Sequence, residues 1–388
     1  MDGLEAAAAV ARWLRGRAAG GAWPSDGVAE GGADDTTLAW GPAGVALFLL
    51  RAYETLADET LLAAARPGLA TVAGQRSAGP AAGLYGGAAG RAYVLAEAYR
   101  VTGDPAWHAA AVTAAEALPL RGEAAELFDG LAGTGLVLLD VAATLDRPSF
   151  AERARELAAH LAAVAEPAGP GLRWIPPGRD ELPNFAHGTA GVAYFLAVAG
   201  EPGAAAAAGD YLASLARIGG GRCEVPFSPG RPGTFWGNWC HGPAGTVRLW
   251  SALADVTGEP RWSAYRDGAR NALLATLLPG GLIRDLGDDA TLCCGSAGIH
   301  EALLDAVVGT GEAAYVTGAR RALAHLERCA SADATGLCWP QARRRRTGWL
   351  GGAAGTGYAL LRRGAYDHGL PLPRPLPDAP ARREAVIR

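Results

Sequence analysis

The chain has 388 residues, half of them apolar, which is enough to bury a substantial core. Its formal net charge of −4 offers no broad positive field, so nothing recommends nucleic acid as a partner. Apolar runs such as Val45–Leu50 and Val192–Val198 fall far short of the roughly 20 residues a membrane span needs.

The chain opens on Met1-Asp2-Gly3-Leu4-Glu5, acidic where a secretory signal would be basic, and Ala6–Arg15 reads as a short amphipathic helix. Together these features predict a soluble, cytoplasmic protein whose six cysteines stay reduced. The first long apolar run, Val45–Leu50, directly follows the tetrapeptide Gly41-Pro-Ala-Gly44. Gly87-Ala-Ala-Gly90 precedes the apolar Ala92–Ala96, and Gly130-Leu-Ala-Gly133 precedes Leu136–Leu139. Gly188-Thr-Ala-Gly191 leads into Val192–Leu196. Three more copies follow, Gly242-Pro-Ala-Gly245, Gly295-Ser-Ala-Gly298 and Gly352-Ala-Ala-Gly355. More highly charged helical stretches lie between them, for example Phe150–Ala163 with Glu152, Arg153, Arg155 and Glu156.

The first glycines of the seven copies are 46, 43, 58, 54, 53 and 57 residues apart. A period of that size suits two helices and their connections. The predicted architecture is therefore all-α, with seven helical hairpins, each pairing a buried inner helix with an amphipathic outer one. Glycine costs a helix roughly 1 kcal/mol against alanine, so its recurrence at seven helix starts implies close packing there. Periodicity alone allows either a closed ring or an open solenoid. No stretch resembles a linker, so residues 1–388 are expected to form one domain, with the Pro-rich 371–388 wrapped over its surface. The basic run Arg343–Arg346 is expected in a solvated loop, or alternatively as an anion-binding patch.

If the helix starts converge, the two residues before each motif glycine line a common mouth. Those positions hold His187, Cys240, His241, Cys293 and Cys294 in three consecutive repeats. Random placement of the 13 Cys and His residues over 14 such positions would put about 0.5 there, against five found. Zinc suits thiolate and imidazole donors, and its catalytic sites keep three protein ligands and one open position. Small cysteines filling tight helix starts are the structural alternative.

At these residues the chain resembles the LanC-like family of lanthionine synthetases, or lanthipeptide cyclases. The resemblance rests on Asn184-Phe-Ala-His-Gly-Thr-Ala-Gly191, Trp239-Cys-His-Gly-Pro-Ala-Gly245, Leu292-Cys-Cys-Gly-Ser-Ala-Gly298 and the closing Leu376-Pro-Asp378. It implies an α/α toroid of seven inner and seven outer helices, with zinc (Zn2+) held by Cys240, Cys293 and Cys294. It also implies addition of peptide Cys thiols to dehydroalanine or dehydrobutyrine, giving thioether rings. The substrate would be a dehydrated precursor peptide, with a separate dehydratase or kinase-lyase as the possible partner. The family's acid/base histidine matches His187. Its frequent Asp falls on Glu126, with Asp129 nearby, and an Arg found in some cyclases is replaced by Trp236.

A free thiol has a pKa near 8.5, so a metal that holds it as thiolate makes it nucleophilic at neutral pH. His187 is the expected proton donor to the resulting enolate, with Glu126 orienting it and His241 assisting or serving structure. Trp40, Tyr85, Trp239 and Trp349 lie near motif glycines, where they could wall a peptide groove or simply pack. Rival readings are thiol addition of a glutathione type, a non-catalytic zinc-stabilised scaffold for a peptide-modifying enzyme, and a carbohydrate-active toroid using Glu126 and Asp129. The last leaves the phased cysteines unexplained.

Overall fold

The computed structural model describes residues 1–19, 23, 36–75, 81–175, 180–277, 287–341 and 344–379, with backbone alone at 340, 341, 344 and 345. An inner ring comprises α2 (Pro42–Leu56), α4 (Ala88–Thr102), α6 (Leu131–Thr144), α8 (Thr189–Ala199), α10 (Pro243–Thr257), α12 (Ser296–Thr310) and α14 (Ala353–Asp367). The outer ring comprises α1 (Gly3–Arg15), α3 (Glu59–Gly74), α5 (Pro105–Glu116), α7 (Pro148–Ala163), α9 (Pro202–Leu215), α11 (Pro260–Thr276) and α13 (Ala313–Arg328). The inner helices are apolar nearly all round, and α8 buries every residue except Val198. The outer helices bury one stripe only, as α7 does with Phe150, Ala154, Leu157, Ala158 and Leu161.

The hairpins turn by a local rule. Helices α4, α8, α10 and α12 end at Gly103, Gly200, Gly258 and Gly311, all in the left-handed region where a Cβ is costly. Pro105, Pro202 and Pro260 then start the next outer helix in the first turn, where the missing N–H costs nothing. The G-x-A-G tetrapeptide works at the opposite end. Its first glycine is the N-cap of every inner helix. Its second glycine sits against the carbonyl of the residue six positions earlier. A Cβ at Gly191 would lie 2.2 Å from Phe185 O, and one at Gly355 would lie 1.8 Å from Trp349 O. The glycine is required because each inner helix doubles back on its own approach loop.

The circle closes. Helix α14 packs against both α2 and α1, so the first helix of the chain is the outer partner of the last inner one. The contact is tight, since a Cβ on Gly3 would fall 2.6 Å from Gly364 N. A second closure runs through the backbone two residues before each motif glycine. Ala39 N–H donates to Tyr85 O, Tyr85 to Phe128, Phe128 to Ala186, Ala186 to Cys240, Cys240 to Cys293, Cys293 to Leu350, and Leu350 back to Ala39. These seven bonds of 2.9–3.4 Å make a cyclic belt around the mouth of the inner ring. The fold is thus an α/α toroid, and no helix among the described residues is long and apolar enough to cross a membrane.

Short antiparallel hairpins were not anticipated from the sequence. They are β1 (Glu166–Ala168) with β2 (Gly171–Arg173), β3 (Arg217–Gly219) with β4 (Arg222–Glu224), and β5 (Ser331–Asp333) with β6 (Gly336–Cys338). Each follows an outer helix, and two are clipped to it by tryptophan. The Trp174 indole N–H donates to Leu161 O at 2.9 Å, and that of Trp339 to Leu326 O at 2.8 Å. A fourth hairpin joins β7 (Pro340–Gln341) to β8 (Arg344–Arg345), so the basic run read as a loop is partly strand. Arg343 lies outside the described residues.

One expectation is corrected outright. The described part of the Pro-rich C-terminal segment enters the toroid axis rather than wrapping its surface. Asp378 is fully buried, with its carboxylate 2.6 Å from Arg248 Nη1 and accepting from Tyr85 Oη at 3.0 Å. The hydroxyls of Tyr93, Tyr194 and Tyr358 donate to the carbonyls of Pro375, Ala379 and Arg374. Arg374 pairs with Glu97 and with Asp140, the latter at 2.8 Å. The inner helices therefore carry polar side chains toward the axis because an extended peptide segment, rich in backbone acceptors, must be satisfied there. A space of ≈ 40 Å³ remains between this segment and the belt, bounded by Tyr85, Trp239, Trp349, Arg248 and Glu301.

Candidate metal centre

The belt explains how residues from different repeats meet. Cys240 and Cys293 are themselves belt residues, joined by the Cys240 N–H to Cys293 O bond. Cys294 follows directly, at the N-terminal approach to α12. Cys294 Sγ lies 3.6 Å from Cys240 Sγ and 3.3 Å from Cys293 Sγ, and the three sulfurs all fall within 4.8 Å of one another. Three sulfurs bound to one tetrahedral ion at about 2.3 Å would stand about 3.8 Å apart. The donor set and its spacing therefore fit a thiophilic metal ion. Cys240 is buried and the other two are half-buried.

Crowding sets the protonation of the three thiols against one another. Hydrogen bonds from Cys240 and then Cys293 hold the Cys294 thiol down to about 3, aided by the charges of His241 and His187. Cys293 is pushed well up by its bonds to Cys240 and Cys294 and by burial. For Cys240 the bond to Cys293 pulls down, but the bond to Cys294, burial and the Cys294 charge together push it up. A cluster that already favours one thiolate is a cation-seeking arrangement.

The residue four positions before the motif glycine has a recurring task. Asn238 Oδ1 accepts the His241 N–H at 2.9 Å, and Thr291 Oγ1 accepts the Cys294 N–H at 3.2 Å. Glu126 Oε1 does the same for the Asp129 N–H at 2.8 Å, while its other oxygen accepts from Phe128 N–H. These caps fix the approach loops and so aim the side chains just ahead of each helix. Asn238 Oδ1 also lies 3.6 Å from Cys240 Sγ, supporting that sulfur directly.

His187 is half-buried, with Nδ1 3.8 Å from Glu126 Oε2. That is a close electrostatic contact, longer than a hydrogen bond. Its ring packs on Phe128 at 4.7 Å and faces His241 at 5.9 Å between centroids. His241 is flanked by Phe227 and Trp236, and its Nδ1 is buried without a partner among the described residues. Burial pulls its pKa down, and the Cys294 charge partly restores it. Asp129 projects toward Gly86, where a Cβ would meet its Oδ1 at 2.0 Å. The near-His187 carboxylate is Glu126. Tyr85, Trp239 and Trp349 are buried in packing, and only Trp40 among the four aromatics near motif glycines is half-open.

Known proteins agree with this architecture. The family model "Lanthionine synthetase C-like protein" matches residues 32–368. The solved structure of a nisin cyclase superposes with a TM-score of 0.66 at 14% identity, covering 87% of this chain and 89% of its own. An unsaturated glucuronyl hydrolase specific for heparin gives 0.52 at 12% identity, over 95% of this chain and 97% of its own. An α-1,6-mannanase of Salegentibacter sp. HEL1_6 gives 0.50 at 11% identity, over 93% and 99%. No curated protein sequence matches. At such identities the structures attest the toroid alone, and the sugar-acting relatives share it without bearing on chemistry. The family match spans most of the chain and includes every cysteine and histidine of the site, and the chain belongs to the lanthionine synthetase C-like family.

Proposed function

We propose that this protein is a zinc-dependent lanthipeptide cyclase, adding a peptide Cys thiol to dehydroalanine or dehydrobutyrine to form a thioether. The observation that carries the reading is the meeting of the Cys240, Cys293 and Cys294 sulfurs at the belt of the toroid. Zinc held by these three would keep a fourth position for the substrate sulfur and lower its pKa. The substrate thiol gives its proton to solvent, its sulfur bonds to the β-carbon of the dehydro residue as the Cα=Cβ π pair moves to form the enolate, and the enolate takes a proton at its α-carbon. In this reading His187 delivers that proton, and Glu126, which accepts from two backbone N–H groups and lies 3.8 Å from His187 Nδ1, fixes its surroundings. His241, next to Cys240 in the chain, has its ring 5.9 Å from that of His187. The natural substrate is then a dehydrated precursor peptide supplied in the cytoplasm by a separate dehydratase or kinase-lyase.

Replacement of His187 by Ala tests the assignment. Cyclisation of a dehydrated peptide is expected to fall about 10²- to 10⁴-fold, the usual worth of a positioned acid. Zinc content and helical circular dichroism should match wild type. Cyclisation at the wild-type rate would remove His187 from the mechanism and favour a scaffold for another peptide-modifying enzyme.

A further inference from the structure

Ten of the eleven tryptophans are buried or half-buried, and one is open to solvent. Trp236 is 41% exposed, four residues before Cys240. Its ring lies 4.8 Å from Phe227 and meets His241 nearly perpendicularly at 5.5 Å, while Phe227 is 4.8 Å from His241. Three rings thus form a corner whose innermost member adjoins a sulfur donor of the proposed centre.

The corner is built rather than incidental. Phe227 N–H donates to Thr234 O at 2.8 Å, and Arg231 N–H donates to Ser228 O at 2.9 Å, closing the loop that carries Phe227. Gly237 lies so close to Thr276 that a Cβ would be 2.7 Å from its Cγ2, pinning the following strand of chain to the end of α11. The aromatic contacts continue past His241, whose ring lies 5.9 Å from that of His187, with His187 on Phe128 and Phe128 6.5 Å from Trp40. Large aromatic surfaces are normally withdrawn from water, and aromatic pairs favour the spacings of about 4.5–7 Å seen here. A further ring or branched aliphatic group laid against the exposed Trp236 ring would cover that surface.

We propose that Phe227, Trp236 and His241 form a subsite for an apolar side chain of the substrate peptide, aromatic or branched aliphatic. That side chain belongs to a residue one or two positions from the reacting cysteine. The inference rests on the cyclase reading, which places the substrate thiol at the sulfur cluster. Successive Cα atoms are about 3.8 Å apart, so a flanking side chain reaches a corner one ring beyond Cys240 and a distant one does not.

The test uses zinc-loaded full-length protein and short peptides bearing one Cys and one dehydroalanine. The residue flanking the Cys is Phe, Leu, Ser or Asp. KM and kcat for ring closure are measured, and Kd is measured by calorimetry for matched peptides with Ser in place of dehydroalanine. Wild type should favour Phe and Leu over Ser and Asp by about tenfold in both KM and Kd, as expected for one buried apolar side chain. Trp236→Ala should abolish that preference by raising KM for the Phe and Leu peptides, and Trp236→Phe should restore much of it. Equal KM and Kd across the four peptides, or an equal loss on all four in Trp236→Ala, would overturn the subsite. Selective binding with no ring closure would keep the subsite and sink the cyclase reading. Ring closure without selectivity would do the reverse.

Discussion

Replacing Cys240 by Ala is expected to weaken zinc binding roughly 10²- to 10³-fold and to abolish ring closure at ordinary zinc concentrations. The size follows from tetrahedral sites whose apparent binding free energy of about 10–16 kcal/mol is shared by four ligands, about 2.5–4 kcal/mol each. Cys240 is the one residue that its repeat adds to the sulfur cluster, whereas Cys293 and Cys294 are neighbours on one loop and could not enclose an ion unaided. The helices should survive, because the belt bond at this position uses the backbone N–H and O of residue 240 and not its side chain. Competition titration with a chromophoric chelator measures the affinity. Wild-type affinity in Cys240→Ala would remove this residue from the ligand set.

The second large effect lies far from the cysteine cluster in sequence and concerns stability. Asp378→Ala strips the partner from Arg248 and leaves Tyr85 Oη without its acceptor, both in the toroid axis. Removing one member of a buried ion pair costs about 3–5 kcal/mol, because the remaining charge stays desolvated. Urea unfolding of the zinc-bound protein should show that loss. The double change Asp378→Leu with Arg248→Met should recover a large part of it, since no unpaired charge then remains. A single variant within about 0.5 kcal/mol of wild type would mean that the segment is not held by this pair.

How much of this was readable beforehand depends on period and phase. Seven G-x-A-G copies located all seven inner helices, because the close approach of Gly191 to Phe185 O is a backbone constraint that recurs in every repeat. The same phase located Cys240, Cys293, Cys294, His187 and His241, since residues before a helix start share one environment on the belt. Glu126 was read as an orienting group for His187. Its stronger contacts are to the backbone N–H groups of Phe128 and Asp129, a capping task it shares with Asn238 and Thr291. That shared task was visible as a polar residue four positions before several motif glycines.

A second phased signal marks the axis. Six and ten residues after the motif glycines stand Tyr93, Tyr194, Arg248, Glu301 and Tyr358, then Arg51, Glu97, Asp140, Asp305 and Arg362. Charges at one register of otherwise apolar helices announce a polar axis, and would have argued for an occupant there. Ring closure by α1 was not legible, because the first helix carries no motif and its partner lies at the far end of the chain. The hairpins were missed because strands of three residues hold too little alternation to be read.

The most direct test of the account is zinc analysis joined to X-ray absorption at the zinc edge on purified wild-type protein. About one zinc per chain with a first shell dominated by sulfur at about 2.3 Å is the expected result. A metal-free protein that still closes thioether rings, or a zinc shell made of nitrogen and oxygen, would contradict it.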